Sequence, residues 1–285
     1  MVLLLGKNKV IKTINGEPAL KGRDNPHFSR FVEQLFLAEN FEQAFSAFEK
    51  HIQQLGFSGV LYAYIPALSL DTNFPKQPVY HYSDSYSPDY IAHYMEANYY
   101  QHDPIIKAMQ SGYIEPLDWL NEIKTKPMNA AAQKVILTAL KDYQMIHGLT
   151  IPTLSGNHGV ACVSVISQES LQYYKLAKQE NLQQLQLCAR LLHSVVVTNG
   201  FHLQKFILPL IAELTPTERR FLRKLCEGKK LKQIALELGL KEKYMDKVMR
   251  HLLQKLSPDQ DQSEARINRD QLLYYMGQMN ILDLL

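Results

Sequence analysis

The chain has 285 residues, of which 46% are hydrophobic and 21% are charged, with a formal net charge of +3. Such a chain can bury a substantial core, and its length suggests two domains. The three cysteines, Cys162, Cys188 and Cys226, are far apart in apolar surroundings, so we expect reduced core residues and no metal site or cofactor. Residues 1–5 are too short for a signal peptide, and no apolar run of about 18 residues occurs. We therefore expect a soluble cytoplasmic protein without a membrane partner.

The N-terminal part shows helical patterns and then strand patterns. We expect residues 1–25 to form a weakly ordered arm, with a small strand at Lys9–Ile14. The apolar periodicity then predicts, in chain order, helices at Phe28–Ala38 and Phe41–Leu55 and strands at Ser58–Ile65 and Val79–Tyr82, with a long loop between the two strands.

Residues 86–110 contain two predicted helix starts. Pro88 begins a helix in which Tyr90 and Tyr94 stand four residues apart and therefore lie on one face. Asp103 precedes Pro104, and a residue before proline avoids helical geometry. This pair predicts a second helix, with Asp103 as its N-cap and Pro104 as its first residue.

The middle of the chain alternates between helices and strands. Trp119, the only tryptophan, precedes the elements predicted here: a helix at Met128–Met145, strands at Leu149–Pro152 and Val160–Ile166 with a turn at Ser155–His158, and a long helix at Ser170–Val197. This alternation predicts an α+β fold with helices packed on a mainly antiparallel sheet, an α-β-α sandwich. The long helix is apolar over a wide stripe, so it either closes the domain or also forms a dimer interface.

The C-terminal part predicts an all-α domain of four helices. Thr215 and Glu218 form a capping box at the start of the first helix, which ends near Cys226. Gly239 supplies a tight turn after the second helix, and the third spans about Lys241–Leu256 with an apolar stripe facing inward. A polar insertion and a fourth helix follow, and we expect that helix to pack against the third.

Positive charge is concentrated in this part of the chain. Residues 212–256 contain twelve Lys and Arg against six Asp and Glu, a net charge of +6, so the remainder sums to −3. A compact basic three-helix unit is typical of helix-turn-helix DNA binding, and the alternative is a solvated basic face on an ordinary helical bundle. The candidate DNA-binding residues are Lys230, Lys232, Lys241, Lys243, Tyr244, Lys247 and Arg250.

The basic segment resembles the DNA-binding domain of LuxR-type quorum-sensing transcriptional regulators. The family pattern is LTxxE, EG, IA and a final KL. The matching residues are Leu214 to Glu218, Glu227-Gly228, Ile234-Ala235 and Lys255-Leu256. The chain departs from the family in the recognition helix, where a Ser cap and a V-K-x-H run are usual. It has Lys241, and then Met245, Asp246, Lys247 and Val248.

A second resemblance covers roughly residues 26–196. The pattern Tyr94, Asp103-Pro104, Trp119 and Gly148-x-Thr150-x-Pro152 resembles the acyl-homoserine-lactone-binding domain of the same regulators. The resemblance implies a lactone ligand enclosed between the sheet and the helices. Asp103 would accept the ligand amide N–H, Tyr94 would close the acyl-tail side, and Trp119 would pack on the lactone ring.

The resemblance also implies other ligand contacts. Ser164 or Tyr86 would donate to the acyl carbonyl, and Leu61, Ala63 and Ile65 would alternate onto the pocket face of their strand. Tyr90 stands where the family normally has a tryptophan that donates to the lactone carbonyl. A tyrosine hydroxyl can also donate, but from a different height in the pocket. This difference favours altered head-group preference or weaker affinity, and leaves a related non-lactone signal open.

Simpler structural roles exist for these residues. Asp103 is also explained as a helix cap alone, and Trp119 and Tyr94 as core residues. Ser164 is also explained as an ordinary strand hydroxyl. It is the clustering of polar groups among apolar ones that supports a binding site.

These patterns together predict a ligand-responsive transcription regulator. The predicted divisions are an arm (1–25), a signal-binding domain (26–197), a linker (198–211) and a helix-turn-helix domain (212–285). The expected partners are a small-molecule autoinducer, a second copy of the chain, palindromic promoter DNA and, for an activator, RNA polymerase. The alternative is a sensor of a non-lactone signal, or a partner-binding modulator whose DNA recognition is weakened by Asp246 and Val248. A lactone hydrolase is disfavoured, because Asp103 has no paired nucleophile or metal.

Overall fold

The structure, a computed structural model, describes residues 26–70, 78–156, 159–256, 267–279 and 281–285. Four predicted features lie wholly or partly outside these residues. They are the N-terminal arm with its strand at Lys9–Ile14, most of the loop before Pro78, the turn at residues 157–158, and the polar insertion after Leu256.

A five-stranded antiparallel sheet organises the N-terminal part, in the order β2-β1-β5-β4-β3. The strands are β1 (Gly59–Pro66), β2 (Val79–Tyr82), β3 (Leu117–Asp118), β4 (His147–Leu154) and β5 (Gly159–Ser167). Every residue of β1 and β5 is buried, because helices cover both faces of the sheet. The predicted α+β sandwich around an antiparallel sheet is confirmed.

Two groups of helices make the outer layers. The helices of this part are α1 (Pro26–Phe36), α2 (Phe41–Gln54), α3 (Ala67–Leu70), α4 (Pro88–Glu96), α5 (Pro104–Gln110), α6 (Trp119–Thr125), α7 (Ala130–Leu137), α8 (Leu171–Thr198) and α9 (Gly200–Ile207). On one face, α1, α2 and α8 bury residues such as Phe48 and Leu192 against Tyr62 and Val163. On the other face, α4 to α7 form a separate cluster around Tyr94 and Trp119. The candidate site lies in this second cluster.

Several segments of the N-terminal part differ from the sequence predictions. The long loop expected after β1 begins with the short helix α3, and α6 was not predicted. The helix expected at Met128–Met145 is shorter, because α7 ends at Leu137 and a π-helical turn, Thr138–Asp142, follows it.

The predicted linker is not an open connection. Gly200 begins α9, and a 3-10 turn at Leu208–Ile211 follows directly. The ring of Phe206 lies 5.1 Å from that of Phe41 and 5.3 Å from that of Tyr62, so α9 is anchored in the core. Burying an aromatic ring there favours a packed helix over an extended linker.

The C-terminal helices agree with the predicted helix-turn-helix domain. They are α10 (Pro216–Cys226), α11 (Leu231–Leu238), α12 (Glu242–Lys255) and α13 (Arg269–Gln278), followed by a 3-10 turn at Ile281–Leu284. Both bonds of the capping box form: Glu218 N–H donates to Thr215 Oγ1 at 3.2 Å, and Thr215 N–H donates to Glu218 Oε2 at 2.7 Å. Gly239 ends α11 at φ 66°, a left-handed conformation that suits glycine.

The fourth helix makes contacts that the sequence did not predict. It was expected against the recognition helix, and Leu272 does share a hydrophobic cluster with Leu252 of α12. However, α13 also packs on α10, and it contacts α3 of the N-terminal part. The two parts of the chain therefore meet at the helix that directly follows β1.

None of the helices in the described ranges is long and apolar enough to cross a membrane.

Candidate functional sites

A cavity lies between the sheet and helices α4 and α5. We call it the first cavity. The nine residues predicted to bind ligand all line it, namely Leu61, Ala63, Ile65, Tyr86, Tyr90, Tyr94, Asp103, Trp119 and Ser164. Leu61, Ala63 and Ile65 alternate along β1, so their side chains lie on one face of the strand. Antiparallel pairing places Leu61 opposite Ser164 of β5, so the apolar side chains of β1 lie next to the Ser164 hydroxyl group.

Sequence reasoning missed other residues of the same wall. These are Tyr80, Ile91, Ile105, Ile106, Met109, Thr150 and Cys162. The signals for three of them were present in the chain. Cys162 precedes Ser164 by two residues and so faces the same way on β5, while Ile105 and Ile106 follow the predicted cap at Asp103. Tyr80 could not be found in this way, because its place depends on the pairing of β2 with β1.

Asp103 is the charged group of the cavity. Its Oδ1 atom caps α5 by accepting from the Ile105 N–H at 2.8 Å, and its Oδ2 atom accepts from the Tyr94 hydroxyl at 2.8 Å. Burial raises the pKa of this carboxyl group above its usual range, although both hydrogen bonds act in the opposite direction. Each carboxylate oxygen has further lone pairs, so Asp103 can accept another hydrogen bond from a ligand.

Four tyrosines surround this carboxylate. The Tyr94 ring lies 5.7 Å from Tyr80 and 5.8 Å from Tyr90, both in edge-to-face contact. Burial raises the pKa of the Tyr80, Tyr86, Tyr90 and Tyr94 hydroxyls well above their ordinary value, so all four remain neutral donors. The Tyr80 hydroxyl is buried and makes no hydrogen bond within the described part of the chain. It lies close to the Tyr94 hydroxyl and lines the cavity, where it can donate to a ligand oxygen.

A hydrogen-bonded chain forms the opposite wall. The Trp119 indole N–H donates to Thr150 Oγ1 at 3.0 Å, and Thr150 Oγ1 lies 2.8 Å from Ser164 Oγ. Because Thr150 already accepts from the indole, its own proton is available for Ser164. Either hydroxyl can donate in this bond, so Ser164 can act as a donor or as an acceptor towards the cavity. Trp119 uses its only donor within the protein, so it offers a ligand only its ring.

Gly148 makes room for that ring. A Cβ atom at this position would lie 2.2 Å from Trp119 Cε3, which is far inside van der Waals contact. Its backbone φ angle is ordinary, so space rather than conformation requires glycine here. Trp119 can therefore pack against β4 only because Gly148 has no side chain.

The candidate DNA-binding residues form an exposed surface on the C-terminal part. All seven are exposed, namely Lys230, Lys232, Lys241, Lys243, Tyr244, Lys247 and Arg250. On α12, Lys243, Lys247 and Arg250 recur at spacings of four and three residues. They lie opposite Met245, Val248 and Leu252, which are buried. The outer side of α12 is therefore a basic stripe.

Ion pairs neutralise some of the other basic residues of this part of the chain. Lys224 and Lys229 pair with Glu227 and Glu237, and Lys255 pairs with Glu218. The six basic residues among the seven candidates make no ion pair within the residues that the structure describes. Exposed charges without partners remain available for phosphates, and the candidate residues are among them.

Asp246 lies beside the basic stripe. It is exposed and stands four residues before Arg250, so the two side chains can meet on the helix surface. Val248, the other departure from the usual pattern, is 4% exposed and belongs to the core of the domain. Val248 therefore acts through packing, and only Asp246 changes the charge of the outer face.

Comparisons with known proteins agree with this architecture. Residues 40–196 match the autoinducer binding domain family, and residues 212–266 match the luxR family of bacterial regulatory proteins. No curated protein matches the chain. A crystal structure of Escherichia coli SdiA is 16% identical and has a TM-score of 0.51, over 90% of this chain and 98% of that one.

Two further solved structures are similar over part or most of the chain. SdiA in complex with octanoyl-rac-glycerol is 16% identical, with a TM-score of 0.49, over 90% of this chain and 97% of that one. The N-acylhomoserine lactone dependent LuxR family factor CepR2 from Burkholderia cenocepacia is 16% identical, with a TM-score of 0.45, over 60% of this chain and 95% of that one. At these identities the likeness concerns the fold and not the ligand.

The chain belongs to the LuxR-type regulators that combine an autoinducer binding domain with a LuxR-type helix-turn-helix domain. It is a ligand-responsive transcription regulator, and this family consists of regulators rather than enzymes.

Replacing Gly148 by alanine tests how Trp119 is seated. The added methyl group would overlap the indole ring, so we expect the variant to lose about 1–3 kcal/mol of unfolding free energy. Urea denaturation measures this loss. Gly200→Ala is the matched control, because a Cβ atom there meets nothing within 4 Å. Equal stability of the two variants would contradict the assigned position of Trp119.

Proposed function

We propose that the first cavity binds an N-acyl homoserine lactone, or a signal with the same amide and acyl chain. An amide presents one donor and one acceptor. Asp103 supplies a buried acceptor, while Ser164, Tyr86 and Tyr80 lie around the same space as donors. The acyl chain would lie along Leu61, Ala63 and Ile65. This pairing of a carboxylate with neutral donors in one apolar cavity is the observation that supports the proposal.

The head group would be bound without a donated bond from Trp119. That indole is already hydrogen bonded to Thr150, so its contribution would be ring packing. Tyr90 would supply the donor to the lactone carbonyl in place of the tryptophan usual in the family. The Tyr90 ring is fixed between Tyr94 and Tyr143, at 5.8 and 5.5 Å, which restricts how far its hydroxyl can move. A changed head-group preference is therefore expected, and a non-lactone head group is the second candidate.

The basic stripe on α12 would bind the major groove of promoter DNA. A homodimer would place two such stripes about 34 Å apart, which matches one turn of DNA and a palindromic site. The dimer proposal is supported by α8, which exposes Tyr173, Leu176 and Leu187. Leu176 and Leu187 are eleven residues apart, about three helical turns, so they share one outward face. RNA polymerase would be a further partner if the protein activates transcription.

Ligand binding is tested by thermal unfolding with N-butanoyl to N-tetradecanoyl homoserine lactones. A ligand that binds only the folded chain raises the melting temperature. We expect a rise for a limited range of chain lengths. In Asp103→Asn, the ligand should bind about tenfold more weakly, because a neutral acceptor replaces a charged one.

Asp118→Asn is the matched control for this experiment. Asp118 also caps a helix, α6, and is partly buried, but it lies outside the first cavity. Asparagine is a good N-cap, so both variants keep their helix start. We expect the ligand to raise the melting temperature of Asp118→Asn as much as that of the wild type, and to raise that of Asp103→Asn less. No response to any lactone, with folded wild-type protein, would exclude the lactone and favour the non-lactone alternative.

DNA binding is tested by fluorescence anisotropy with a labelled duplex over a range of salt concentrations. Lys247→Ala should weaken binding and reduce the salt dependence by about one unit of slope, because one phosphate contact is lost. Lys175→Ala, an exposed lysine of α8, should change neither quantity. Equal behaviour of the two variants would contradict the assignment of α12.

Asp246→Asn separates the two hypotheses about DNA recognition. If Asp246 only repels phosphates, removing its charge raises affinity for every sequence. Such an increase, from a wild type that hardly distinguishes sequences, would favour the alternative of a partner-binding modulator with weakened DNA recognition. A sequence-dependent loss of affinity would instead show that Asp246 contacts a base.

A further inference from the structure

A second cavity adjoins the first one. Ile65 of β1 and Ile106 of α5 line both cavities, so these two side chains form a common wall. The remaining lining of the second cavity comes from α3, α5 and the turn before α5. The second cavity therefore lies beyond the apolar end of the first one.

The second cavity adds polar groups beyond the isoleucine wall, beside the ring of Tyr100. Ser69, Gln101, Lys107 and Gln110 line it. None of these residues belongs to the set that contacts the amide end of the first cavity. If the acyl chain of a ligand passed the wall formed by Ile65 and Ile106, it would leave the apolar side chains of the first cavity. Its end would then meet a hydroxyl group, two amides and an ammonium group, which belong to the four residues just named.

Ser69 is the residue that needs an explanation. It is only 2% exposed, and its hydroxyl makes no hydrogen bond within the described part of the chain. A buried hydroxyl without a partner destabilises the folded state, because it has given up its bonds to water. A serine in this helix could be replaced by alanine with no loss of packing. An unsatisfied group that faces a cavity is expected where a ligand supplies the partner.

Lys107 adds a charge to the same place. It is exposed, makes no ion pair among the described residues, and lines the second cavity. A lysine ammonium has donors and no acceptor, which favours an oxygen-bearing group opposite it.

We propose that the second cavity binds an oxygen-bearing terminal group, a hydroxyl or a carboxylate, on the acyl chain of the ligand. This inference rests on the proposed function of the first cavity. The acyl chain of the ligand passes between Ile65 and Ile106 after these side chains change rotamer. Its terminal oxygen then forms hydrogen bonds with Ser69 and Lys107. The protein thus distinguishes ligands by the end of the chain as well as by its length.

The experiment compares N-dodecanoyl homoserine lactone with its ω-hydroxy and ω-carboxy derivatives, by titration calorimetry. In an apolar pocket without a polar end, an ω-hydroxyl group weakens binding, because it loses its water and gains nothing. With the second cavity as its partner, we expect roughly fivefold tighter binding of the ω-hydroxy ligand than of the methyl-terminated one. Whether the ω-hydroxy ligand binds more tightly or more weakly than the methyl-terminated one therefore decides whether the second cavity is a subsite. The ω-carboxy ligand shows which of the two polar termini Lys107 favours.

Two variants complete the test. Ser69→Ala should abolish the preference for the ω-hydroxy ligand, leave binding of the methyl-terminated ligand unchanged, and not lower the melting temperature of the free protein. Ser164→Ala, in the first cavity, should weaken all three ligands alike and keep the preference.

The outcomes separate this inference from the proposed function. If the methyl-terminated ligand binds and both polar derivatives bind more weakly, the second cavity is not a subsite and the inference alone is overturned. If the preference survives in Ser69→Ala, it is equally overturned. If none of the three ligands binds to the folded protein, the lactone proposal fails, and this inference fails with it.

Discussion

A carboxylate buried among tyrosines determines what the first cavity can bind. Asp103 lies there because Pro104 forces the chain to begin α5 at that residue, and the helix needs a cap. The same side chain accepts from Tyr94, so the cap, the helix start and the polar end of the cavity depend on one residue. A negative charge is costly away from water unless donors surround it. A ligand that contributes one more N–H therefore completes an arrangement that the protein has already built.

The position of α3 relates the two cavities to the rest of the chain. It follows β1, carries Ser69, and contacts α13 of the DNA-binding domain. The 3-10 turn at Ile281–Leu284 contacts α9, which is itself anchored on Phe41 and Tyr62. The C-terminal helices are thus packed on segments that belong to the core of the N-terminal sandwich. The proposed signal cavity and the proposed DNA-binding surface lie on different elements, and these contacts connect them.

Much of this architecture could be predicted from local signals. The strand at Val79–Tyr82, the helix from Pro88, the cap at Asp103 and the capping box of Thr215 and Glu218 all depend on neighbouring residues, and the structure has each of them. The nine residues expected around a ligand do line one cavity, because alternation along β1 and the spacing of Tyr90 and Tyr94 are local rules as well. Whether they bind a lactone remains a prediction.

The features that escaped prediction depend on tertiary contacts. Residues 200–207 contain no cap signal and look like a linker, yet burial of Phe206 makes them a helix. The two-residue strand β3 is too short to show a period, and it forms through pairing with β4. Ser69 gave no signal at all, because a single serine in a four-residue helix is unremarkable until its neighbours are known.

The central claim is that the signal enters the first cavity, and the single tryptophan of the chain allows a direct test. Trp119 lies in the wall of that cavity and is 5% exposed, so its fluorescence reports on this site and no other. Titration with the lactone that most raises the melting temperature should change the Trp119 emission saturably, with one ligand bound per chain. A ligand that stabilises the protein while leaving the emission unchanged would bind elsewhere, and would contradict the account.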